Sequence, residues 1–276
     1  MNTRQTVKPV FDSELCLVGA RSDEELLKAV RRLLTFIEQA PGVALADVAF
    51  STAIRARHTP VIAAFVASSP ADLCEKLRNT EKKLRDGAAR IRDKSGVYYN
   101  RQRLVHEGGR LAFIFPGELS PYPHMLNGLS LAFPCCRAAF DESDDACAGS
   151  PDMPLMSEWL YPAPTSTRSK ATTLLNTLTG SMLASHTANT AIARLLTMLK
   201  IRPDVVTGHS TGELAALEYA GCYGVLSPAR RNTMLRDAIN LLSHLDNHER
   251  LPETVMVAIE GTEVLELVAH WLDENP

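Results

Sequence analysis

Aromatic residues are scarce in this 276-residue chain, at 6%, and no apolar run approaches the ~20 residues that a bilayer-spanning helix requires. The first eleven residues are polar and lack the apolar centre of a signal peptide. An excess of one charge is missing as well. With 29 basic and 32 acidic side chains the net charge is −3, which gives a polyanion little to bind and argues against nucleic acid as a partner. Cysteine is thin: Cys16, Cys74, Cys135, Cys136, Cys147 and Cys222 are scattered, mostly in apolar stretches, with no CxxC pair. That pattern fits reduced thiols in a cytoplasmic protein, and neither a disulfide scaffold nor a zinc site. What remains is 45% hydrophobic and 22% charged residues, the mix of a soluble globular protein large enough for one large or two modest cores.

No internal repeat is visible. Leu15 to Val18 reads as a short strand. Ser22 then caps a helix, with Glu25 as its capping-box partner and an apolar face of Leu26, Leu27, Val30, Leu33, Leu34 and Ile37. A second strand is expected over Val61 to Ala67. Ser69-Pro70 opens another helix, with proline at its first position, and Gly87 stops it. Residues 12 to about 100 thus read as an α+β unit without a constellation of chemistry. The basic run from Lys82 to Arg92 reads as a solvated helix face.

The character changes at Leu111 to Phe115, an apolar run suited to a buried parallel strand, followed at once by Pro116-Gly117. Residues 141 to 170 are acidic, then rich in Pro, Ser and Thr, and read as a surface excursion. Thr187 to Lys200 has the apolar spacing of an amphipathic helix, Arg202-Pro203 ends it, and Asp204 to Val206 enters another strand. This order predicts a parallel α/β layer.

Gly208-His209-Ser210-Thr211-Gly212 is a G-x-S-x-G sequence between that strand and an Ala/Leu-rich helix. A nucleophile elbow needs this setting: small flanking residues let the backbone turn tightly, and the following helix points its N–H groups at a reacting carbonyl. The alternative is a glycine-rich turn whose serine merely caps the helix.

With these residues in view, the chain resembles the acyltransferase domains of modular polyketide and fatty-acid synthases, the malonyl-CoA:acyl-carrier-protein transacylase family. Gly208 to Glu213 matches the family's GHSxGE, and Ala220-Gly221 downstream is also typical of it. Phe113 to Gly117, with Ser120, Tyr122, Pro123 and Met125, looks like its opening FxFPGQGSQYxxM, and Ala138 to Asp141 resembles the segment that follows. The resemblance implies a small α+β ketosynthase-to-acyltransferase linker domain over residues 1–105. An acyltransferase α/β domain would follow over 106–276, with a ferredoxin-like subdomain starting near 255. It further implies that Ser210 is the acyl nucleophile and that the backbone N–H groups of Thr211 and Glu118 form the oxyanion hole. Arg236 is the best match, after a one-residue insertion, to the arginine that holds the substrate carboxylate; the alternative for it is an ordinary helix-surface charge. The substrate would be a malonyl-type acyl-CoA, and no cofactor would be bound. The partners would be the phosphopantetheine thiol of an acyl carrier protein and neighbouring synthase modules such as a ketosynthase, with neither nucleic acid nor membrane among them.

Several positions depart from the family pattern. Glu118 stands where FPGQ has glutamine, and its carboxylate is electrostatically adverse beside a developing oxyanion. Met182 takes the place of a supporting glutamine, and Leu119 and Pro121 also break the motif. Only 66 residues follow Ser210, so the resemblance implies a sequence that stops before the family's catalytic histidine. His209 flanks the nucleophile without being nominated as base, and His244, His248 and His270 sit outside the matching motif. A non-catalytic fragment of a synthase, keeping at most a docking role, is therefore the second expectation. A serine esterase fits less well, because it has no place for FxFPG or the linker-like N-terminus.

Overall fold

The computed structural model describes residues 11–102, 105, 108–118, 120–148, 150, 153–162, 173–224 and 227–247. The chain divides into two compact units, Met1–Leu111 and Ala112–Pro276.

The first unit contains β1 (Glu14–Ala20), α1 (Asp23–Gln39), α2 (Leu45–Ala56), β2 (Val61–Ala67), α3 (Pro70–Arg85), β3 (Arg90–Asp93) and β4 (Val97–Asn100). Its strands form one antiparallel sheet in the order β1-β2-β4-β3. Alternation turns Cys16, Val18 and Ala20 of β1 inward, with Ala63, Phe65 and Ala67 of β2 beside them. Leu26, Val30 and Leu34 of α1 and Leu73 and Leu77 of α3 complete this core.

The predicted caps are in place. Ser22 Oγ accepts from Glu25 N at 3.2 Å and Ser69 Oγ from Asp72 N at 3.1 Å. Glu25 reaches back to the N–H of Arg21, one residue before the cap, at 3.1 Å. The basic run from Lys82 is only in part a helix face. The helix ends at Arg85, Gly87 turns the chain at φ +83°, and Arg90–Asp93 is an edge strand with Ile91 inward.

The second unit comprises β5 (Ala112–Phe115), α4 (Asn127–Ala132), α5 (Pro134–Cys147), α6 (Met156–Leu160), α7 (Leu178–Met198), β6 (Val205–Gly208), α8 (Gly212–Tyr219) and α9 (Pro228–Asn247). β5 and β6 pair in parallel, from Ala112 opposite Val205 to Phe115 opposite Gly208. The mixed α/β character and the parallel strand pair agree with the sequence reading. The helix expected from Thr187 begins earlier, at Leu178, because Thr177 Oγ1 caps it by accepting from Gly180 N at 3.1 Å.

The surface excursion expected over residues 141–170 is corrected where the chain is described. Asp141 and Asp145 lie one turn apart on the outer face of α5, whereas Ser143, Ala146 and Cys147 are buried. Met153, Met156, Trp159 and Leu160 are core residues packed with α5 and α7. The acidic composition hides a helix whose charges all keep to one side. Residues 163–170, and the strand and helix expected over 256–272, lie outside the described residues.

Candidate active site

β6 ends at Gly208 and α8 starts at Gly212, so only three residues make the turn. It is held from below by β5, because His209 N donates to Phe115 O at 3.0 Å. Gly212, the first residue of α8, packs so closely on the end of β5 that a Cβ there would stand 2.0 Å from Phe115 O. Between them Ser210 adopts φ +53°, a left-handed conformation that is unfavourable for a residue with a side chain. The sequence thus builds a strained serine at the head of a helix, fixed to the neighbouring strand.

The segment after β5 forms the opposite wall, and α7 anchors it. Ser181 Oγ donates to Glu118 O. Ser185 Oγ lies 2.9 Å from Gly117 O and 3.1 Å from Pro116 O, and Asn189 Nδ2 donates to Pro116 O at 2.9 Å. All three side chains are buried. Sequence reasoning missed them, although the signal was present: three polar residues at i, i+4 and i+8 share one face of the helix. They saturate the carbonyls of a loop that enters no sheet.

Glu118 meets the elbow directly. Its Oε1 accepts from Ser210 Oγ at 3.0 Å and its Oε2 from Thr211 Oγ1 at 2.8 Å. Burial pushes the Glu118 carboxyl up. The backbone N–H groups of Glu118 and Thr211 and the two hydroxyls outweigh burial and hold it below the ordinary carboxylate range. Three of the four predicted site residues, Ser210, Thr211 and Glu118, therefore come together.

Beyond Thr211 a cavity of about 220 Å³ runs between α7, α8 and α9, with Met182, Leu214 and Leu235 in its largely apolar wall. Arg236 does not line it. It is half-buried on α9, and its Nε is enclosed without a hydrogen-bond partner.

The polar wall of this cavity includes His186, Glu218 and Arg231. His186 Nε2 lies 3.2 Å from Glu218 Oε2, and Arg231 Nε donates to Glu218 Oε1 at 2.6 Å. The His186 hydrogen bond, followed by the charges of His186 and Arg231, overcomes burial and lowers the Glu218 pKa to about 2. Because folding lowers this pKa, the ionised carboxylate stabilises the fold above the ordinary carboxylate range, and the contribution is lost as pH falls toward 2. Glu218→Gln is expected to cost about 3 kcal/mol at pH 7. Denaturant titrations should show the gap from wild type closing as pH falls from about 4.5 toward 2. A gap independent of pH would show that packing, and not charge, is what glutamine disturbs.

The likeness to known proteins follows this geometry. Residues 14–77 match the family model described as CurL-like, PKS C-terminal. The spectinabilin polyketide synthase system protein NorB of Streptomyces orinoci is 32% identical over 258 residues, which is 92% of this chain and 11% of NorB. The non-reducing polyketide synthase Dhc5 of Alternaria cinerariae is 28% identical over 88% of this chain and 10% of its own length. Among solved structures, the acyl transferase domain of ZmaA superimposes with a TM-score of 0.72 and 25% identity, over 96% of this chain and 56% of that one. This chain is a homologue of polyketide synthases, and its structural neighbours are acyltransferase domains.

The chain spans about a tenth of the length of NorB and Dhc5. Its α/β fold is shared with the acyltransferase domain from module 8 of the salinomycin polyketide synthase, at a TM-score of 0.56 and 20% identity. Among the described residues, no helix is long and apolar enough to cross a membrane, and no cluster of His, Cys, Asp and Glu has the makings of a metal site.

Proposed function

We propose that this chain carries out acyl transfer through Ser210, as part of a cytoplasmic polyketide synthase. The reading rests on one observation above all: Ser210 stands in a strained turn between a parallel strand and the N-terminus of α8, against the loop that bears Glu118. Residues 1–105 would serve as the ketosynthase-to-acyltransferase linker and 106–276 as the acyltransferase domain. Ser210 Oγ attacks the carbonyl of a malonyl-type acyl-CoA. A C–O ester bond forms, the C–S bond breaks, and the serine proton ends on the departing thiol. The phosphopantetheine thiol of an acyl carrier protein then attacks the ester, forms the new thioester and returns a proton to Ser210. The N–H groups of Thr211 and Glu118 stabilise the oxyanion in both halves, and Arg236 is the candidate for holding the acyl unit's free carboxylate.

Incubation of the full chain with radiolabelled malonyl-CoA and holo carrier protein tests this reading. Label is expected first on the chain, in the peptide containing Ser210, and then on the carrier protein. Release of free malonate without loading of the carrier would indicate an esterase-like hydrolase instead. A non-catalytic docking role is the second reading. It is favoured by the engagement of the Ser210 hydroxyl with a carboxylate, and it predicts no label on either protein.

A further inference from the structure

We infer that the Glu118 side chain, by holding the hydroxyls of Ser210 and Thr211, places a negative charge beside the oxyanion site and keeps Ser210 latent until the carboxylate is moved aside. The inference rests on the reading of Ser210 as the nucleophile.

The two carboxylate oxygens divide between the two hydroxyls of the elbow. Oε1 takes Ser210 Oγ at 3.0 Å and Oε2 takes Thr211 Oγ1 at 2.8 Å. The backbone N–H groups of Glu118 and Thr211 help to hold this carboxylate below its ordinary range. These are the groups on which a tetrahedral oxyanion would rely, and here they already face a full negative charge. A thioester carbonyl cannot use them while the carboxylate is seated, and charge developing on its oxygen would meet a like charge.

A contact between a nucleophile and a carboxylate that is itself steadied by a threonine also has the form of a catalytic base pair. Two features argue against that role. The donors around the carboxylate hold it below its ordinary range, which makes it a weak acceptor for a serine proton. It also lies against Thr211, where charge developing on a reacting carbonyl oxygen would meet a like charge.

The arrangement separates the lock from the hole. The Glu118 carbonyl is fixed by Ser181 and the preceding Gly117 carbonyl is contacted by Ser185, so the main chain, and with it the Glu118 N–H, stays in position. The carboxylate hangs on three rotatable bonds and leaves by side-chain rotation alone. Displacement therefore exposes a hole that is already formed.

The test compares the rate at which a fluorophosphonate labels Ser210 in the full chain of wild type, Glu118→Gln and Glu118→Ala, with folding checked by circular dichroism. Both variants are expected to label at least ~10-fold faster than wild type, a barrier decrease of about 1.4 kcal/mol. Millimolar acetate should slow Glu118→Ala back toward the wild-type rate by refilling the vacated site, and should leave wild type unchanged. A structural perturbation would not produce that rescue. Slower labelling of the folded Glu118→Gln variant would show that the carboxylate is a base, and an unchanged rate would show that it blocks nothing; either result overturns the inference. Folded variants that never take label at Ser210 would instead remove the nucleophile reading on which it rests. Should Glu118→Ala not fold, the near-isosteric Glu118→Gln decides the direction of the effect alone.

Discussion

Ser210→Ala is expected to abolish covalent labelling of the chain by malonyl-CoA and by serine-directed phosphonates, leaving a rate at least ~10³-fold below wild type. Other serines near the elbow have no comparable setting. Ser181 and Ser185 are buried and committed to carbonyl oxygens of the Pro116–Glu118 segment, so they have neither access nor an oxyanion site. Ser210 alone joins a positive φ to the head of α8. The same strain makes a second measurement informative. Alanine keeps the unfavourable left-handed conformation, whereas glycine adopts it freely, so Ser210→Gly should be more stable than Ser210→Ala by about 1 kcal/mol. Both are equally inert. Label at another residue in either variant would reassign the nucleophile, and equal stability would mean that the turn relaxes.

Gly212→Ala is expected to cost the second unit at least about 3 kcal/mol, the upper end of overpacking effects, and to abolish labelling of Ser210. The added methyl would stand 2.0 Å from Phe115 O and 2.7 Å from both the Phe115 carbonyl carbon and Pro116 O. All three are main-chain atoms of β5 and the turn after it, so no side chain can rotate to make room. Relief requires β5 and α8 to separate, which breaks the His209 N to Phe115 O hydrogen bond and moves Ser210 away from Glu118. Thermal unfolding of the full chain should show the second unit melting earlier, with the first unit unaffected. Wild-type melting with an intact labelling rate would show that the two elements are packed less closely than this.

How legible these features were depended on whether a side chain announced them. Ser22 with Glu25 and Ser69 with Pro70 mark helix starts through groups that bond the backbone, and both helices begin there. α2 escaped notice because Ala44 precedes it with no capping side chain and its buried face is only Val48, Ala49 and Ala56. β3, with the sequence RIRD, buries a single residue, and its pairing with β4 is a tertiary fact that four residues cannot advertise. At the site, the G-x-S-x-G spacing placed Ser210 and Thr211, and the glutamate in the FPGQ-like segment marked Glu118 as electrostatically out of place. That the carboxylate would fold onto the serine hydroxyl was not readable, since it depends on side-chain rotation. The spacing of Ser181, Ser185 and Asn189 puts them on one face of α7 but does not show which carbonyls they meet, and the His186–Glu218–Arg231 cluster joins residues from separate helices, about which sequence spacing carries no information.

The pairing of β5 with β6 also sets the order in which the molecule assembles. Ser210 and Glu118 are 92 residues apart in the chain, and closing a loop of that length costs roughly 4 kcal/mol of entropy before the four-residue strand pair returns any of it. So short a ladder cannot hold such a closure by itself. The packing of α5 on α7, which includes the buried Ser143–Thr187 contact and the two-pronged Arg194–Glu142 ion pair, must first shorten the distance. The turn at Ser210 is then expected to be among the last parts of the second unit to form, after the helical scaffold that restrains it.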